Sequence, residues 1–139
     1  EKSLVQPPGT LLHQDLSLQM LLGYVFWPIA AVMGVPAADV TELGQLIGTK
    51  LIATEFVAYQ DLGKMAVAHQ VTPRTVMIAS FALCGFANFA SVAIQIGGLG
   101  AMAPERRGEL AKLGLRAMFG GAIATCMTAC VAGVLGSEG

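Results

Sequence analysis

Apolar positions dominate this chain, and polar ones arrive in short, spaced clusters. Residues 16–38 carry no charge, a run of 23; thirty uncharged residues lie between Arg74 and Glu105, and 21 between Arg116 and Glu138. A helix needs roughly 20 apolar residues to cross a bilayer, so each run is long enough for a membrane helix. Residues 36–70 differ. Two apolar pieces, 40–52 and 56–67, flank Ala53, Thr54 and Glu55, while Asp39, Glu42, Asp61 and Lys64 stay toward the outer ends. Each piece is too short to span. The pattern predicts a re-entrant helical hairpin over 39–67, two half-helices that enter the membrane and return. The competing reading is one amphipathic helix with Glu55 paired to a lysine on a neighbour.

Breakers divide the rest. Pro7, Pro8 and Gly9 predict a linker over 1–15. Within 16–35, Pro28 is central, and Tyr24 and Trp27 are residues that prefer the membrane interface. A span and a helix lying in the interface plane fit this segment equally. Thr72 and Pro73 predict an N-cap and first turn, opening a helix over 74–100 that Gly85 weakens. Asn88 and Ser91, three apart, share a face if helical. They read either as polar glue between helices or as the polar groups of a broken helix that meets a ligand. Gly97, Gly98 and Gly100 do not form a phosphate loop, since no lysine follows.

Residues 104–116 form an amphipathic connector with four of the eight basic residues, Arg106, Arg107, Lys112 and Arg116. Glu105 and Glu109 come within reach of basic residues three or four positions on, such as Lys112. The positive-inside rule places the 104–116 loop in the cytoplasm. Residues 117–137 follow as the final transmembrane helix, with Gly120, Gly121, Ala124 and Thr128 as its expected contact stripe. Two crossings then put the C-terminus outside.

Composition agrees with the pattern. The chain is 55% hydrophobic and 12% charged, against about 45–50% and 25% in soluble domains. Mean hydropathy is +0.67. A formal net charge of -1 gives no reason to expect a nucleic-acid partner. Cys84, Cys126 and Cys130 lie in apolar runs and match no disulfide or zinc spacing. Only His13 and His69 are present; His69 reads as a solvated loop residue. No metal set and no nucleophile–base pair is visible, so the chain is not expected to be an enzyme or to bind a cofactor alone. Glu1 is not preceded by a methionine, and we expect a piece of a longer protein. The fold class is therefore an all-α membrane protein. Its most costly residue is Glu55, a carboxylate deep in apolar sequence, and such residues mark functional sites.

Three blocks carry a resemblance. They are Gly48-Thr49-Lys50 with Glu55-Phe56-Val57-Ala58-Tyr59, then Ala82-Leu83-Cys84-Gly85-Phe86-Ala87-Asn88-Phe89, then Ile96-Gly97-Gly98-Leu99 with Met102-Ala103-Pro104-Glu105-Arg106. In this order they resemble the C-terminal half of the concentrative nucleoside transporters, as do residues 21–29 and 33–36. The resemblance implies a sodium- or proton-coupled nucleoside symporter of the plasma membrane, the inner membrane if bacterial, that works by alternating access as a homotrimer. It implies an interfacial helix over 16–35 and a broken transmembrane helix over 74–100. Glu55 then matches the hairpin glutamate that binds ribose hydroxyls. Asn88 and Ser91 match the broken-helix residues that do the same, and Phe86 an aromatic beside the ligand. The family usually has asparagine before the glutamate. Thr54 stands there in this chain, so the hydrogen bonds of the tip are expected to differ. The Na+ or H+ site and base recognition are implied to lie in the N-terminal half, outside this chain. A small structural or channel-forming membrane subunit is the alternative function.

Overall fold

The structure, a computed structural model, describes residues 18–136, and every regular element among them is helical. The expected linker 1–15 lies outside the described residues. In chain order there are α1 (Leu18–Val32), α2 (Val40–Ile52), α3 (Glu55–Val67), α4 (Pro73–Leu83), α5 (Phe89–Met102) and α6 (Arg107–Leu135). Short 3-10 turns, Ala37–Asp39 and Pro104–Arg106, lead into α2 and α6.

α1 ends where Gly34 adopts a positive φ of 80°, followed two residues on by Pro36. Glycine has no Cβ to oppose that conformation, and proline cannot prolong the helix. α1 then lies along α2 at very short range. A Cβ built on Gly44 would sit 2.7 Å from the Gly23 carbonyl oxygen, and one on Gly48 would overlap the Leu22 side chain. Glycine at these positions lets the backbones approach, as in packed membrane helices.

The two apolar pieces of residues 40–67 are indeed separate helices, broken at Ala53 and Thr54. They form a hairpin. Asp39 at the start of α2 accepts a 2.9 Å bond from the Thr72 amide, so the chain leaves at Asp39 and returns beside it. α4 then runs parallel to α2, since Asp39 meets its N-terminus while Lys50 reaches Ala82 in its last turn. Ten to eleven residues separate the partners on each helix, an equal rise of about 15–16 Å at 1.5 Å per residue. Leu43, Leu46, Ala58, Leu62, Ile78 and Leu83 fill the space between these helices.

The connector and the last span are one continuous helix of 29 residues. At 1.5 Å per residue its length is about 43 Å, more than the roughly 30 Å hydrocarbon thickness. Its charged first third therefore has room outside the apolar layer while the rest crosses it. Among the described residues this is the one helix long and apolar enough to cross a membrane unbroken. Its packed face differs from the expected stripe. Of the expected stripe Gly121 is half-buried and faces Ala87, but Gly120, Ala124 and Thr128 are exposed, whereas Met118, Ala129 and Gly133 are buried. A helix apolar all round carries no periodic signal for its packed side, so its neighbours decide it. Among the carboxylates of the connector, Glu109 pairs with Arg106 at 2.8 Å instead of reaching Lys112.

Candidate functional site

The site lies where two helices begin in mid-fold. At the hairpin tip Ala53 leaves helical geometry, and Thr54, extended at φ −152°, becomes the N-cap of α3. Its hydroxyl accepts a 3.4 Å bond from the Val57 amide. Thr54 thus supplies a capping oxygen at the position where the family usually has asparagine. Glu55 is the first residue of α3, placing a carboxylate at the positive end of the helix dipole.

The second break runs from Cys84 to Asn88. Gly85 takes a φ of 117°, which L side chains avoid. Asn88 is extended at φ −143° and caps α5, its Oδ1 accepting from the Ser91 amide at 2.7 Å. Asn88 and Ser91 are therefore not successive members of one helical face: the first is the cap and the second lies in the first turn. The Asn88 Nδ2 donates to Glu55 Oε2 at 2.8 Å, and Asn88 is 1% exposed. Two helix N-termini from different elements thus meet through one amide–carboxylate pair. The expected lysine partner of Glu55 is not there; Lys50 is engaged elsewhere. Phe86 stands out from the break, 77% exposed. Glu55, Thr54 and Ser91 are half-buried and reachable.

A broken helix leaves carbonyls without their amide partners, and each must find another donor. Here the hairpin supplies donors. Tyr59 Oη donates to the Ser80 carbonyl at 2.6 Å, and Lys50 Nζ donates to the Ala82 carbonyl at 2.9 Å. Lys50 Nζ also reaches Thr125 Oγ1 of α6 at 3.1 Å, and Lys50 is 1% exposed. At the other end of α4, Asp39 accepts from the Thr72 amide, the Thr72 hydroxyl and the Thr75 hydroxyl. Burial raises the Asp39 pKa, but these three bonds together outweigh it and hold the carboxyl below its ordinary value. An anion at the start of α4 and a cation at its end both complement its dipole. Sequence reasoning did not single out Asp39, Lys50, Tyr59 or Thr125. Lys50 left a signal, as the one basic residue between 40 and 63.

Two helix breaks that present polar side chains inside an apolar bundle define a class, the architecture found in membrane transporters. The chain belongs to the concentrative nucleoside transporter family. The family described as "Na+ dependent nucleoside transporter C-terminus" matches residues 3–133. The uncharacterized transporter YutK of Bacillus subtilis is 46% identical over 121 residues, covering 87% of this chain and 30% of that protein. Sodium/nucleoside cotransporter 1 of Homo sapiens is 41% identical over 135 residues, covering 88% of this chain and 21% of that protein. CNTnw in an inward-facing substrate-bound state is 44% identical with a TM-score of 0.81, covering 89% of this chain and 30% of that one. The chain thus spans less than a third of these relatives. Its all-α architecture of broken and short apolar helices is theirs.

Proposed function

We propose that this chain is the ribose-binding, C-terminal part of a nucleoside:cation symporter. The observation that carries the reading is the Glu55–Asn88 pair at the meeting of two helix breaks. An ionised carboxylate offers about four lone-pair sites and no donor, while an amide offers both donors and acceptors. Ribose hydroxyls donate and accept, so Glu55 accepts hydrogen bonds from them and Asn88 complements it. Ser91 adds a hydroxyl from the first turn of α5, Thr54 one from the tip, and Phe86 an exposed ring beside them. A site of this kind rejects sugars that lack a hydroxyl, because its own buried groups would be left unpaired.

The remaining assignments rest on the family. α1, with Pro28 inside it, lies in the membrane interface. Residues 39–67 are the re-entrant hairpin and 74–100 the broken transmembrane helix. The 104–116 segment faces the cytoplasm and the C-terminus the outside. The protein resides in the plasma membrane as a homotrimer. The resemblance to the family assigns the coupling cation, Na+ or H+, to the remainder of the protein.

Uptake of labelled uridine or adenosine by the full-length protein tests the reading. Glu55→Gln keeps the shape and removes the charge. It should weaken transport by roughly 10- to 150-fold, the equivalent of a charge-assisted hydrogen bond worth about 1.5–3 kcal/mol. Near-normal saturable uptake by this variant would refute the role of Glu55.

A further inference from the structure

We infer that Lys50 is a positioning residue for ligand selection, although it stands behind the site and not in it. This rests on the reading above and adds a residue to it. Lys50 occupies the last turn of α2 and is 1% exposed, with its ammonium on the Ala82 carbonyl and the Thr125 hydroxyl. Ala82 is the penultimate residue of α4, immediately before the break. Thr125 also faces the break directly: a Cβ on Gly85 would lie 3.2 Å from its methyl group. One turn earlier on α6, a Cβ on Gly121 would lie 3.4 Å from that of Ala87. The segment that carries Asn88 is thus pressed on α6 and tied to α2 through one ammonium.

The tie closes a ring. From Lys50 the chain runs five residues to Glu55; Glu55 accepts from Asn88; the chain runs back six residues to Ala82; and Ala82 accepts from Lys50. Each helix break is therefore held by the other, with Lys50 and Asn88 as the cross-links of this ring and Tyr59 on the Ser80 carbonyl as a further tie beside it. A buried ammonium donates up to three hydrogen bonds with charge assistance, which makes it a firm anchor for a carbonyl that has lost its helical partner. Without it Ala82 is released, and only the Tyr59–Ser80 and Glu55–Asn88 bonds still tie the hairpin to the break. A displacement of about 1 Å at a ligand-positioning group can change rates by roughly 100-fold.

The test measures a ratio, which does not depend on how many transporters fold. In the full-length protein, uptake of uridine is compared with uptake of its 3′-deoxy analogue for the wild type, Lys50→Met, Lys50→Arg, Thr125→Val and Asn88→Ala. The discrimination ratio should fall by roughly 10-fold or more in Lys50→Met and in Asn88→Ala. The double variant should fall no further than either single one, because both remove the same register. Thr125→Val should lower the ratio by a smaller factor, and Lys50→Arg should restore part of it. Should Lys50→Met prevent folding, Thr125→Val alone still decides, since an unchanged ratio there overturns the inference. An unchanged ratio in Lys50→Met, with Asn88→Ala impaired, overturns the positioning role and leaves the ribose site standing. An unchanged ratio in Asn88→Ala removes both.

Discussion

Glu55 and Asn88 meet because each stands at the start of a helix that begins inside the fold. A cap projects its side chain back over the first turn, and the Asn88 cap thereby meets Glu55, the first residue of α3. At this scale the sequence was largely readable. An acidic residue with apolar neighbours on both sides, and an asparagine beside Gly85, both signalled polar groups in apolar surroundings. What sequence could not tell was that Asn88 uses its carbonyl for Ser91 and its amide for Glu55. Asp39 gives a pH prediction at the same scale. Its carboxyl titrates below its ordinary value of 3.8 in the folded chain. A depressed carboxylate contributes stability above its unfolded pKa, and that contribution disappears as pH falls through the folded value. The melting temperature of the purified protein should therefore hold from pH 7 to about 5 and drop below about 4. Asp39→Asn should be less stable by about 1–3 kcal/mol at neutral pH. It should also lose the acid-side drop in a differential scanning measurement.

Helix lengths explain the elements. Eleven residues in α4 and 14 in α5 correspond to about 16 and 21 Å, so neither crosses alone. The helix predicted over 74–100 is therefore two short helices, as the weakening Gly85 foreshadowed. The long α6 was read as a connector plus a span because its charge pattern changes at Arg116. A change of charge does not end a helix, and α6 runs on through it, and through its internal glycines, to Leu135. Two glycine substitutions probe the elements. Gly44→Val would press a side chain against the Gly23 carbonyl and drive α1 from α2, with an expected loss of about 1–3 kcal/mol. Gly85→Ala meets both the positive φ and the Thr125 methyl, and should lose about 1–2 kcal/mol. Thermal unfolding in detergent or nanodiscs measures both. A control at Gly63, where a Cβ meets nothing within 4 Å, should stay near the wild type.

Across the whole molecule, a few long-range polar ties join helices that are apolar elsewhere. Arg74 is one of them: Nε donates to the Gly34 carbonyl at 3.1 Å and Nη2 to the Gly133 carbonyl at 2.8 Å. It gathers the end of α1, the start of α4 and the end of α6. Arg74→Gln should free both carbonyl groups, and hydrogen exchange should rise at the C-terminal turns of α1 and α6 while the Glu55–Asn88 region stays protected. Equal protection in the variant would show that apolar packing alone holds those ends. Large apolar side chains such as Phe56, Val67, Phe86 and Met102 face outward, 67–84% exposed. A surface so apolar suits a lipid or protein environment rather than water.

The sequence by itself determined the class, the helical content and the break that makes residues 40–67 a hairpin. Each of these follows from local quantities: run length against membrane thickness, breaker residues, and the cost of a charge in apolar surroundings. Tertiary structure alone decided which partner each polar group takes. Lys50 could have paired with Glu55 five residues on; it instead serves a carbonyl 32 positions away, because the break in α4 leaves that carbonyl without a donor. Likewise the packed face of the later, apolar part of α6 was settled by Ile78 and Met33, which lie against Gly133, and by nothing in the uniformly apolar sequence of that part. Local chemistry states which groups need partners, and only the arrangement of helices brings those partners within reach.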